Sequence, residues 1–67
     1  MSKYAALWRW IAAQSGGALE LSFAEIEGIV GLPLDHSFLN CKKELTDYGW
    51  KVEKISLKQQ TIVFKRL

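Results

Sequence analysis

LSFAEIEGIVGLPLDHSFLNCKKELTDYG, Leu21 to Gly49, decides the fold. Ser22-Phe23-Ala24-Glu25 has the spacing of a capping box: the Ser22 hydroxyl accepts from the Glu25 amide, and the Glu25 carboxylate accepts from the Ser22 amide. A helix therefore starts at Phe23 and runs to about Val30. Phe23, Ile26, Ile29 and Val30 form its inner stripe. Glu25 and Glu27 sit in or near its first turn, where the helix dipole favours negative charge. Gly31 ends the helix, and Pro33 fixes its own φ and keeps Leu32 out of the α region. A second helix is expected from roughly His36 to Tyr48. Asp35 is its N-cap, with Ser37 as a competing start, and Gly49 supplies the C-terminal stop. Phe38, Cys41, Leu45 and Tyr48 share its inner face. His36, Leu39, Asn40, Lys43 and Asp47 lie on the opposite face, with Lys42 at the edge.

Outward from this pair, Lys3 to about Gln14 reads as a helix. Tyr4, Leu7, Trp8 and Ile11 follow the i, i+3, i+4, i+7 rule. Ser2 is placed as its N-cap, and Ser15-Gly16-Gly17 stops it. Trp10 lies about 110° from the centre of that stripe. It either covers the edge of the core or serves as an exposed anchor. Ala18-Leu19-Glu20-Leu21 is a short strand, too short to stand without a partner. Trp50 to Leu57 and Thr61 to Arg66 form two strands joined by Lys58-Gln59-Gln60. The connection lacks Gly and Asn, so a wide loop is expected. Trp50 and Val52 are out of phase with Ile55 and Leu57, which predicts a β-bulge at Glu53-Lys54.

The expected order is helix, strand, helix, helix, strand, strand. It describes a small winged-helix-like α+β domain with a three-stranded antiparallel sheet, in one unit spanning 1–67. The expected core is Tyr4, Leu7, Trp8, Ile11, Leu21, Phe23, Ile26, Phe38, Leu45, Ile62 and Phe64. Sixty-seven residues bury little surface, so the core must be dense. A 49% hydrophobic content with three Trp, three Phe and two Tyr meets that need.

Composition narrows the function classes. One cysteine, Cys41, allows no internal disulfide, and one His with one Cys makes no zinc set. No apolar run approaches the roughly 20 residues of a membrane span, and the N-terminus does not resemble a signal peptide, so a cytoplasmic protein is expected. His36 and Cys41 are about 140° apart around a helix, which separates the one Cys–His pair, and no glycine-rich phosphate loop occurs. The chain is read as a non-enzyme without cofactor or metal. Residues 1–33 carry two basic and three acidic groups, and 34–67 carry seven and four. That is −1 against +3, which sums to the net +2.

Two partner classes fit. A nucleic acid, DNA first, would meet the outer face of the third helix: His36 and Ser37 near its start, then Asn40, Lys42 and Lys43. Lys54, Lys58, Lys65 and Arg66 would add phosphate contacts from the hairpin. Asp47 and Glu44 would repel phosphate. Alternatively Trp10 and Leu39, with Leu67, form contacts to another protein or to a second copy.

YAALWRWIA, LSFAEIEGIVGLPL, DYGWKVEKISL and TIVFKRL also resemble a family of short uncharacterised bacterial proteins. Its members share a PLW-like first helix, a TFEEIEEILG-like capped helix, a P-L or P-I turn, G-W or G-Y before a strand, and a V-x-F ending. The resemblance covers nearly the whole chain and implies a single domain. Longer relatives carry an Arg- and Trp-rich third helix, where this chain has Asn40-Cys41-Lys42-Lys43-Glu44.

Overall fold

A computed structural model describes residues 4–67. The Ser2 cap and the Lys3 start lie outside the described residues. Helix α1 spans Ala5–Ala12, strand β1 Ala18–Ser22, helix α2 Phe23–Val30 and helix α3 Ser37–Cys41. The chain continues from α3 as a 3-10 helix, Lys42–Tyr48, before strands β2 (Trp50–Ser56) and β3 (Thr61–Arg66). This is the expected α+β order.

The sheet runs β1-β3-β2 and is antiparallel throughout. β1 pairs with β3 from Ala18↔Lys65 to Ser22↔Thr61. β2 pairs with β3 on the other side, and the register slips between Val52 and Lys54, so Glu53 is the extra residue of a bulge. The slip returns Ile55 to the core side with Trp50 and Val52. The turn opens into Leu57–Gln60, with Gln60 at φ 56° and the Gln59 amide donating to the Ser56 hydroxyl at 3.2 Å. The Gln60 carbonyl accepts from the Phe23 amide at 2.8 Å, which ties the hairpin tip to the start of α2.

The capping box forms: the Glu25 amide donates to Ser22 Oγ at 3.0 Å, and the Ser22 amide donates to Glu25 Oε1 at 2.8 Å. Gly31 closes α2 in the left-handed region at φ 78°. Ser22 is both the last residue of β1 and the cap of α2, so the strand turns into the helix without a loop. Ser22→Ala is expected to cost about 1 kcal/mol. In a domain of this size that lowers the melting temperature by roughly 4–8 °C, measurable by calorimetry.

Tyr4, Leu7, Trp8, Ile11, Leu21, Ile26, Phe38, Leu45, Trp50, Ile62 and Phe64 form one buried cluster. The rings of Tyr4, Trp8 and Phe38 meet at 5.5–6.0 Å, and Tyr4 stands edge-on to Phe38. Ten of the eleven expected core residues are in the cluster. Phe23 is only half-buried, because it starts α2 at the open end of the sheet. Trp50 takes the remaining place: it follows Gly49, whose φ of 84° turns the chain inward.

Three expected boundaries need correction. α1 ends at Ala12 rather than Gln14. Its last turn tightens, with the Gln14 amide donating to Ile11 at 3.0 Å, before Gly16 reverses the chain at φ 96°. The helix expected from His36 to Tyr48 is α-helical only over Ser37–Cys41 and 3-10 thereafter. The N-cap position is His36, which makes no side-chain cap bond, while the expected cap Asp35 lies one residue earlier and its carboxylate accepts from the Ser37 amide at 2.9 Å and from the Ser37 hydroxyl. Tyr48, placed inward by uninterrupted α winding, is exposed, because Trp50 already fills the interior beside it. β2 stops at Ser56, which leaves Leu57 in the turn. No helix of the described residues is long and apolar enough to cross a membrane.

Candidate binding face of the third helix and the hairpin

The 3-10 winding decides which side chains share the outer face of the third helix. An α-helix advances about 100° per residue and a 3-10 helix about 120°. With the change after Cys41, His36, Asn40, Lys43 and Thr46 fall within about 40° of one another around the axis. All four are exposed. Uninterrupted α winding would bring Asp47 to within about 20° of His36. The observed winding instead turns Asp47 and Glu44 about 120° from this row. Glu44 is also engaged: its Oε1 accepts from the Trp8 indole at 3.2 Å. The Thr46 hydroxyl donates to the Lys43 carbonyl at 2.7 Å.

The other expected contact residues are dispersed. Ser37 is half-buried, and its hydroxyl donates to Asp35. Lys42 is half-buried one turn before Leu45. Ile62 and Phe64 point into the core, so alternation sends Val63 and Lys65 to the opposite face of the sheet. Their partners Lys54 and Lys51 go with them. Lys54 there shares a shallow cleft with Glu20, Ser56 and Thr61, on the side away from the third helix. Arg66 serves the fold. It donates to the Gly16 carbonyl at 2.8 Å and the Gln14 carbonyl at 2.6 Å, and its guanidinium lies 4.9 Å from the Trp50 ring centroid. Lys58 is exposed in the hairpin turn. The nine-residue basic and polar set is therefore brought together only at His36, Asn40 and Lys43, while Lys58 lies apart in the hairpin turn.

Between that helix and the hairpin lies an apolar groove of about 500 Å³. Leu34, His36, Phe38 and Leu39 form its helix wall, and Ile55, Leu57 and Ile62 its sheet wall, with Phe23 at one end. Leu39 is 49% exposed and Leu57 79% exposed, so the rims are apolar and open to solvent. Trp10 is 37% exposed on α1 and does not line this groove, and neither does Leu67. The expected protein-contact pair of Trp10 and Leu39 is thus divided between two surfaces. Leu57 was not among the expected contacts, although it stands two residues beyond Ile55. Once the bulge resets the phase, that spacing puts it on the groove side. No family model matches the chain, and no characterised protein or solved structure was found to be similar to it.

Proposed function

We propose that this chain is a non-enzymatic binding module that seats apolar side chains of a partner protein in the groove between the third helix and the β2–β3 hairpin. The groove itself carries the reading. Its volume lies within the range of about 300–1,000 Å³ typical of ligand sites. Its rims hold Leu39 and Leu57 in water, where isolated apolar side chains gain most from being covered. A phosphodiester backbone would find little there to pair with, since the lining is almost wholly carbon.

Nucleic-acid binding is the second reading, and one observation favours it. The row His36, Asn40, Lys43 and Thr46 is polar, exposed and cleared of Asp47 and Glu44 by the 3-10 winding. It could meet base edges and phosphates.

A photo-crosslinking benzoylphenylalanine placed at Leu39 or Leu57 in living cells tests both. Protein adducts at both positions, and none from the same group at Leu67, are expected. Nucleic-acid adducts would favour the second reading, and an absence of adducts at both groove positions would remove the first.

A further inference from the structure

Lys42–Tyr48 is a 3-10 helix of seven residues, whereas runs of this winding seldom exceed three or four. Its sequence gives no reason for the tight winding. Lys42, Lys43, Glu44 and Leu45 are good α formers, and no glycine or proline interrupts the segment. Its two ends supply the reason. Before it, Phe38 is buried against the rings of Tyr4 and Trp8. After it, Trp50 is buried, and the Gly49 carbonyl accepts from the Leu67 amide at 2.9 Å. One end is thus fixed to the core and the other to the sheet. Seven residues span about 14 Å as a 3-10 helix but only about 10.5 Å as an α-helix, whose far end would also be rotated by about 140°. An α-helix of this length falls short of the second anchor.

We propose that the third helix is stretched between these two anchors, and that the stretch is what keeps Lys43 clear of Asp47. In α winding Lys43 and Asp47 would stand one turn apart on the same face, at the i, i+4 spacing of an ion pair. In the observed winding Thr46 takes that place, and its hydroxyl donates to the Lys43 carbonyl at 2.7 Å. Asp47 is turned about 120° from Lys43. Lys43 is the lysine of the exposed row His36, Asn40, Lys43 and Thr46. The charge which that row offers is therefore coupled to the burial of Phe38 and Trp50 on the core side.

The test changes the length of the segment. Nine α residues span about 13.5 Å and end within about 60° of the present end point. Two alanines inserted between Asp47 and Tyr48 should let the segment rewind as an α-helix. The control places two alanines between Glu27 and Gly28 of α2, where the added turn of about 200° takes Ile29 and Val30 off the core. The urea midpoint of the first variant should stay close to that of the unaltered chain, and its far-UV helical ellipticity should rise. The midpoint of the control should fall steeply. In nuclear Overhauser spectra the unaltered chain should show Hα–HN contacts at i, i+2 across Lys42–Tyr48, with the Lys43 side chain near Thr46. The insertion should replace these with i, i+4 contacts and bring the Lys43 side chain to Asp47.

Contacts at i, i+4 in the unaltered chain would overturn the proposal outright. So would an insertion variant that stays tightly wound, because the winding would then be local, or one that loses as much stability as the control. A rewound segment in which Lys43 and Asp47 stay apart would overturn the effect on the row's charge.

Discussion

Trp8→Ala is expected to remove a third or more of the domain's stability. Trp8 is fully buried and, with Trp50, is the largest of the buried side chains. Its ring packs 6.0 Å from Tyr4 and 5.7 Å from Phe38. Its indole N–H donates to Glu44, so one side chain joins α1 to both the α and the 3-10 portions of the third helix. Truncating a buried Trp costs about 3–5 kcal/mol. The stability expected of a 67-residue domain is only about 3–10 kcal/mol, taking 0.05–0.15 per residue. The urea midpoint of the variant, followed by circular dichroism, should fall by a third or more. Trp8→Phe keeps most of the volume but removes the indole donor, and should lose much less. A Trp8→Ala protein with an unchanged midpoint would mean that the third helix is not held through this ring.

The second large effect tests the strand order. Val63→Pro is expected to cost about 3 kcal/mol or more, because β3 is bonded on both sides and a proline there deletes a ladder hydrogen bond and strands its partner. Glu53→Pro falls at the bulge of the edge strand β2, a place where proline is tolerated, and should cost far less. Denaturant unfolding of the two variants measures the difference. Equal losses would contradict β3 as the central strand.

Local chemistry made the elements legible. The Ser22–Glu25 box, the Gly31 and Gly49 stops and the apolar stripe of α1 each specify a boundary or a face through short-range interactions. The bulge could be read because a broken alternation has one simple cause. What escaped depended on distant packing. Nothing in Lys42–Tyr48 signals 3-10 winding, since intrinsic propensity there suits an α-helix. Trp50 joins the core because Gly49 turns the chain inward, a backbone effect that no stripe or alternation reveals. The candidate site was legible only in part: Leu39, His36, Asn40 and Lys43 share the outer face of the third helix. Lys54 and Lys65 were assigned to the same surface because sequence order groups them, whereas the pleat sends them to the other side. Arg66 looked free because its acceptors, the Gln14 and Gly16 carbonyls, lie some fifty positions away.

The β1-β3-β2 order also sets a timetable. β3 is the last element described, yet it is the one both other strands need. While the chain is being made, Leu19 and Leu21 wait some forty residues for Phe64 and Ile62, and β2 has no neighbour of its own. Until β3 emerges there is no sheet for the helices to pack on, and the apolar side chains that face it lack their cover. Sheet formation therefore waits for β3 and engages both its neighbours together, with the loop-closure entropy of the long β1–β3 separation met in that step. A stall or a nick before Thr61 would leave an aggregation-prone fragment rather than a smaller folded protein.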